Sequence, residues 1–214
     1  EKSTPRMDRR AHIKKLMALG AASVAPGALW AAGTQTSANS EGNVTPTERA
    51  FGYKRSVSHW TVDDLDWDDL CGWLAQEGVE AVDLVGPENW HHLKKHGLDS
   101  SMCNGAELNL VDGFIHEEFE GVLHERYSAM IPRVAKAGYE NLICFSGNRR
   151  GLSEEEGLEQ AVKALQPMVK LAEAHGVVLQ MELFNSIVDH PDYMADSSRW
   201  GIELARALNS PSFK

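Results

Sequence analysis

Residues 177–186 constrain the fold of this chain more than any other stretch. They are apolar on both faces until one carboxylate, Glu182, appears near the C-terminal end. A parallel strand that is buried between a barrel interior and a layer of helices has this composition. The amphipathic residues 152–175 before it end at Gly176 and predict a helix. Because the loops after such strands hold the active site in parallel α/β folds, Glu182 is the leading candidate for the chemistry.

From residue 51 onward the sequence alternates between strand patterns and helix patterns. Strands are predicted at residues 51–60, 81–86, 100–104, 141–147 and 177–184, and helices at residues 62–78, 88–96, 117–137, 152–175 and 194–208. Residues 210–214 indicate a turn that enters a sixth strand. This spacing predicts a parallel sheet with right-handed crossovers and a single folded domain.

Two parallel architectures are compatible with this alternation. A doubly wound open sheet accommodates five strands, but it carries a Gly-rich phosphate-binding turn after the first strand. Residues 58–61, Ser-His-Trp-Thr, stand in that place. A (β/α)8 TIM barrel typically needs about 250 residues, and fewer residues than this follow the N-terminal segment in this sequence. We therefore expect an incomplete TIM barrel with about the first five βα units.

The first 33 residues have the features of an export signal. Paired Arg9 and Arg10 precede an apolar, small-residue run at residues 16–32, which predicts a twin-arginine-type signal peptide rather than a membrane span. The alternative is an amphipathic N-terminal helix. Residues 34–50, rich in Ser, Thr, Asn and Gly, predict a linker, which leaves 51–214 for the barrel. We expect a periplasmic or exported protein.

Charge and cysteine content narrow the classes of partner. The formal net charge of -10 argues against nucleic acid and against an anionic membrane as partners, because both select clustered Lys and Arg. A small neutral or anionic molecule remains, and the sequence leaves a homo-oligomer open. The three cysteines, Cys71, Cys103 and Cys144, have no metal-type spacing and are expected to be buried thiols rather than disulfides.

Several motifs resemble the hydroxypyruvate isomerase branch of the xylose-isomerase-like TIM barrels. The resemblance extends over about residues 51–214. Its motifs are NLICFSGNRRG at 141–151, EEEG at 154–157, MELFNS at 181–186, VDH at 188–190, VDLVGPE at 82–88 and SMCNGA at 101–106. Any one of them is weak, and the combination is specific to that branch.

The resemblance implies a metal-dependent isomerase. It implies that hydroxypyruvate and tartronate semialdehyde, or a similar aldose and ketose, interconvert by proton transfer through an ene-diolate. The implied Mg²⁺ or Mn²⁺ has four side-chain ligands on the later strands. Glu182 occupies the position of the first, and the others are expected beyond Lys214. Alternatives are a sugar epimerase or dehydratase on the same barrel, and a non-catalytic carbohydrate-binding or inert barrel.

Other polar and aromatic residues near the predicted strand ends are candidates for binding a small hydroxy-keto acid or sugar. Glu182 is a candidate ligand, base or both, with a structural ion pair as the alternative. His190 follows it on the next loop and is a candidate to orient a substrate oxygen, or a solvated loop histidine. Arg149 is a candidate to meet a substrate carboxylate, or only part of a turn. Asn185 is expected to fix the loop rather than touch substrate. His59 and Trp60 are candidates for an apolar pocket wall.

Overall fold

A computed structural model describes residues 53–214 of this chain. The expected signal peptide at 1–33, the linker at 34–50 and the start of the predicted first strand lie outside the described residues. Within the described part, no helix combines the length and apolarity needed to cross a bilayer.

In the part of the chain that the structure describes, five parallel strands form one sheet in which each strand lies beside the one that precedes it in sequence. The strands are β1 (Ser56–Ser58), β2 (Ala81–Val85), β3 (Asp99–Cys103), β4 (Asn141–Cys144) and β5 (Val178–Met181). A doubly wound sheet has a reversal in strand order, which is absent among these strands. Sequential parallel order is the order of a TIM barrel, so the predicted fold class is confirmed for the described residues.

Within residues 53–214, five α-helices accompany the strands. They are α1 (Trp67–Gln76), α2 (Trp90–Lys95), α3 (Glu117–Ala137), α4 (Glu154–His175) and α5 (Ser198–Leu208). The predicted bounds of α3 are confirmed, because Gly138 ends the helix in the left-handed conformation, with φ of 86°. At the start of α4, Ser153 and Glu156 form a reciprocal capping box.

α2 and α4 begin two residues later than predicted. Two other helices begin later still, because local capping groups set their start. The first was expected at 62–78, but the Asp66 carboxylate accepts the N–H groups of Asp68 and Asp69 and fixes the start of α1 at Trp67. The last was expected at 194–208, but the Ser197 hydroxyl accepts the Trp200 N–H, so α5 begins at Ser198. Residues 62–66 and 194–197, which precede the two helices, lie in loops instead.

The core lies between the sheet and the helices. Its largest fully buried side chains include Trp200, Tyr127, Tyr193 and Phe114. The Tyr127 hydroxyl donates to the carbonyl of Ile143 at 2.8 Å, which ties α3 to β4. Cys71, Cys103 and Cys144 are buried and free, as predicted.

The last residues of the chain extend the sheet beyond β5. The N–H groups of Leu179 and Met181 donate to the carbonyls of Ser212 and Lys214, both at 2.9 Å, and the Lys214 N–H returns to Leu179 at 3.0 Å. The pairing is parallel. These bonds agree with the predicted entry into a sixth strand.

Candidate active site

Glu182 directly follows β5, at the C-terminal end of the sheet. Its N–H donates to the carbonyl of Cys144 at 3.2 Å, so the backbone still follows the ladder at this point. The side chain is half-buried. Burial raises the pKa of its carboxyl, the negative charge of Asp83 raises it further, and His190 acts in the opposite direction. Its carboxylate makes no hydrogen bond to another residue of the described range.

Tyr193 fixes the backbone of Glu182 from the following loop. Its hydroxyl accepts the N–H of Ser146 at 3.1 Å and donates to the carbonyl of Glu182 at 3.2 Å. The Ser146 hydroxyl in turn accepts the N–H of Ala195 at 3.1 Å. Tyr193 and Ser146 are both almost fully buried. These bonds join the ends of β4 and β5 into one rigid support, because neither residue has water to replace a lost partner.

His190 lies against an aromatic platform beside Glu182. Its ring stacks on Phe184 at 4.1 Å between centroids, and Phe184 packs edge-on against Tyr193 at 4.9 Å. The His190 N–H donates to the Asn185 carbonyl at 3.0 Å. His190 is thus an ordered, partly exposed imidazole near the carboxylate, and its charge acts on Glu182.

Asn185 has a loop-fixing contact in the structure. Its side-chain oxygen accepts the N–H of Ile187 at 3.0 Å, which is an Asx-type turn. The geometry is the one expected from the sequence. A substrate contact by this residue stays a prediction.

Arg149 is engaged with carboxylates of the protein. Its guanidinium donates to Asp196 at 3.0 Å and lies 3.8 Å from Glu154 at the start of α4. The second oxygen of Asp196 accepts the Ser186 hydroxyl at 2.7 Å. A guanidinium held in this way connects the two loops after β4 and β5. Binding of a substrate carboxylate by Arg149 stays a prediction, and it requires competition with these partners.

His59 and Trp60 were predicted at the end of the first strand. The strand ends at Ser58 instead, and residues His59–Thr61 form a short 3₁₀ turn. Trp60 is 63% exposed. His59 stacks on Trp67 of α1 at 4.0 Å, and partial burial lowers its pKa. Among the described residues, no hydrogen bond or ring contact joins either side chain to Glu182 or His190.

Asp83 is a residue of this site that sequence reasoning did not single out. Its charge acts on Glu182 from β2. The pairing of β2 with β3 shifts register on either side of Asp83, and Leu84 has a left-handed φ of 61°. A bulge of this kind re-aims a side chain and is common near active sites. A charge within an otherwise apolar strand was the available signal, the same one that identified Glu182.

The two loops that follow β4 and β5 are paired with one another. Asn148 and Tyr193 form an antiparallel bridge, and the Arg149 N–H donates to the Asp192 carbonyl at 2.6 Å. Buried His116 contributes on the other side, since its Nδ1 lies 3.2 Å from the Gly113 nitrogen and its Nε2 lies 2.9 Å from the Asn148 carbonyl oxygen. Apart from the contact between Gly113 and His116, the two residues of each pair are more than thirty positions apart in the sequence. Such pairs leave no periodic pattern in the sequence.

The described residues do not complete a metal site. No three His, Cys, Asp or Glu side chains within residues 53–214 converge closely enough to hold an ion. Glu182 offers oxygen ligands that suit Mg²⁺ or Mn²⁺, but one carboxylate is insufficient for tight binding. We therefore assign no chemical step to a metal.

The similarity of this chain to known proteins lies in its structure. No protein-family model matches the chain, and no curated protein sequence matches it. An AP endonuclease of family 2 from Brucella melitensis superposes with a TM-score of 0.65 at 16% identity, over 75% of this chain and 67% of that one.

Two further solved structures have the same fold. D-psicose 3-epimerase from Clostridium cellulolyticum H10, solved with D-tagatose, gives a TM-score of 0.59 at 14% identity, over 76% of this chain and 62% of that one. The IolI protein with a bound zinc atom gives a TM-score of 0.59 at 13% identity, over 75% of this chain and 61% of that one. The chain thus spans about three fifths to two thirds of these proteins. The described part of this chain has the TIM-barrel fold that they share.

Proposed function

We propose that this chain belongs to an isomerase or epimerase that moves a proton between adjacent carbons of a small sugar or hydroxy-keto acid. The observation that carries the proposal is the half-buried carboxylate of Glu182, which lies at the C-terminal end of a barrel strand and has no hydrogen-bonding partner within the described range. In TIM-barrel enzymes this end of the strands carries the active site. A structural carboxylate would instead be paired with Arg or Lys.

The electrostatics of Glu182 suit a general base. Desolvation raises the pKa of its carboxyl, which makes the carboxylate a stronger base than an exposed glutamate. For hydroxypyruvate, Glu182 would take a proton from the hydroxymethyl carbon. The resulting ene-diolate would receive a proton at the neighbouring carbon to give tartronate semialdehyde. The hydroxyl proton would pass between the two oxygens, so that atoms and charge balance.

His190 is the group on this chain best placed to assist. Its ring is held by Phe184 and its charge acts on Glu182. We assign it the role of orienting the substrate oxygen on which negative charge develops. The Tyr193 bond to the Glu182 carbonyl keeps the base in position, because the strand end cannot shift without breaking it.

Hydroxypyruvate isomerisation is the finer proposal, based on the sequence motifs. A sugar epimerase is the second candidate, and the fold likeness to D-psicose 3-epimerase favours it. In both reactions the base removes a proton next to a carbonyl group. An isomerase relocates the carbonyl, whereas an epimerase inverts one carbon and leaves the carbonyl in place. Export through a twin-arginine-type signal and a divalent metal remain parts of the proposal.

The test is proton exchange in deuterated water. The chain is incubated with hydroxypyruvate and with D-psicose, each with Mg²⁺, with Mn²⁺ and with a chelator. Deuterium incorporation at carbon is followed by NMR. We expect Glu182→Gln to reduce exchange by about 100-fold or more, as loss of a general base does.

The matched control is Glu159→Gln, which makes the same change on the exposed face of α4. It should retain exchange. Equal exchange in wild type and Glu182→Gln would remove Glu182 from the chemistry. Saturable sugar binding without any exchange would favour a non-catalytic carbohydrate-binding barrel.

A further inference from the structure

Two polar side chains lie on β2 and β3, towards the end of the sheet that carries Glu182. Asp83 belongs to β2, and Asn104 directly follows the last residue of β3. The residues before them, Val82 and Cys103, are 0% exposed and pack in the core. Because successive side chains of a strand point to opposite faces, Asp83 and Asn104 point away from the helices, to the inner face of the sheet.

Polar side chains deeper on this inner face are already paired. The Gln180 amide donates to the side-chain oxygen of Asn141 at 2.6 Å, and the Asn141 amide donates to the Ser101 carbonyl at 2.9 Å. Glu182 lies two residues after Gln180 and therefore shares its face. The paired groups thus end below the strand ends, where Glu182 lies.

Asp83 and Glu182 face one another across the inner side of the sheet. β3 and β4 lie between their strands, so about 14 Å separates β2 from β5 along the sheet. The charge of Asp83 nevertheless acts on Glu182. Curvature of the sheet brings the two carboxylates closer than the path along the strands, and a small molecule beside Glu182 therefore meets β2 and β3 on its other side.

The side chains of Asp83 and Asn104 are unpaired and accessible. Neither has a hydrogen-bonding partner among residues 53–214. Within the same range, the buried polar groups that lack a partner are the hydroxyls of Ser101 and Tyr139 alone. The Asp83 carboxylate and the Asn104 amide are therefore open to solvent, and a ligand can reach them.

The chemistry of this pair suits hydroxyl groups. The Asp83 carboxylate only accepts hydrogen bonds, whereas the Asn104 amide both donates and accepts. A hydroxyl group can donate to the first and exchange either kind of bond with the second. A substrate carboxylate has no proton to donate at neutral pH, and the charge of Asp83 repels it.

We propose that Asp83 and Asn104 bind hydroxyl groups of the substrate across the inner face from Glu182. The inference rests on the proposed function and specifies its substrate class, a sugar whose hydroxyls continue beyond the reacting carbons. D-psicose has such hydroxyls. Hydroxypyruvate has one hydroxyl, on the reacting carbon, and a carboxylate, so the pair favours the sugar.

Binding is measured apart from chemistry in the Glu182→Gln variant, which is titrated with D-psicose while backbone amide shifts are followed by NMR. We expect saturable shifts centred on residues 83 and 104. Addition of Asp83→Ala should weaken binding by about tenfold or more, because a hydrogen bond to a charged group is lost. Addition of Asn104→Ala should weaken it by about fivefold. Both variants should fold, since removal of an unpaired side chain leaves no orphaned group behind.

Glu125→Ala is the matched control, because it removes a carboxylate from the exposed face of α3. In the Glu182→Gln background it should bind D-psicose as its parent does. Shifts that rise linearly without saturation, or equal affinity in the parent and both site variants, would overturn the proposal.

Deuterium exchange with Glu182 intact provides the second measurement. Asp83→Ala should lower kcat/KM for D-psicose at least about tenfold more than kcat/KM for hydroxypyruvate. Equal losses for the two substrates would show that Asp83 acts on Glu182 rather than on hydroxyl groups, which contradicts the proposal. Binding of D-psicose that depends on Asp83, without exchange in the wild type, would uphold the hydroxyl site and refute the proton transfer assigned to Glu182.

Discussion

Tyr193→Phe tests how much the two hydrogen bonds of the Tyr193 hydroxyl, to Ser146 and to the Glu182 carbonyl, contribute to stability. The change removes one oxygen that accepts from Ser146 and donates to the Glu182 carbonyl, at 3.1 and 3.2 Å. Ser146 is 0% exposed, so its N–H is left without a partner. A buried unsatisfied donor costs about 1–3 kcal/mol. Glu182 is only half-buried, so we expect the loss at its carbonyl to add less.

We expect the free energy of unfolding to fall by about 2 kcal/mol. For a domain of this size, the corresponding decrease in Tm is about 4 to 8 °C. Urea denaturation followed by circular dichroism measures the first quantity, and the slope with denaturant should not change because the exposed surface is the same.

Tyr139→Phe is the matched control for this measurement. Both tyrosines are buried, but the Tyr139 hydroxyl has no hydrogen bond within the described range. Its removal should change stability by less than about 0.5 kcal/mol. If the two variants were equally stable, or if Tyr193→Phe matched the wild type, the hydrogen bonds assigned to Tyr193 would not support the strand end.

Three further predictions concern glycine geometry, helix capping and pH. Gly147 has a φ of 93°, and a methyl group there would lie 2.7 Å from a backbone nitrogen, so Gly147→Ala should unfold the loop or cost more than about 3 kcal/mol. Gly151 has a φ of 90° but open space around it, so Gly151→Ala should cost about 1 kcal/mol, and thermal melting measures both changes. Ser153→Ala breaks the capping box with Glu156 and should lower stability by about 1 kcal/mol in urea. Glu182 has a raised folded-state pKa, so its protonated form favours folding and its contribution is lost as pH rises through that pKa. Glu182→Gln should therefore gain stability relative to wild type as pH rises above about 4, and a constant difference would contradict the assignment.

The alternation of strands and helices was predictable because apolar periodicity and helix-ending glycines are local. Gly138 and Gly176 end α3 and α4 where expected. The start of α1 was mispredicted because the acids near it were assigned to the helix, whereas Asp66 caps it. An acidic residue can lie in the first turn of a helix or cap it from the preceding position. Only the direction of the backbone at that residue shows which of the two it does.

The candidate site was predictable to the extent that one charge interrupts an apolar strand. That signal identified Glu182. It did not identify Tyr193, whose pairing with Ser146 spans 47 residues and has no sequence pattern. Nor did it show that Arg149 is already bonded to Asp196. These contacts depend on which strand ends become neighbours, and that is a property of the assembled sheet.

The bridge between Asn148 and Tyr193 has a consequence for engineering substrate range. The loops after β4 and β5 share backbone bonds, including those from Arg149 to Asp192 and from Met194 to Gly147. A graft of either loop from a related barrel would break them, because the recipient would lack the complementary half. Libraries that vary the two loops together, as one inherited cassette, should yield many more folded variants than libraries that shuffle them separately.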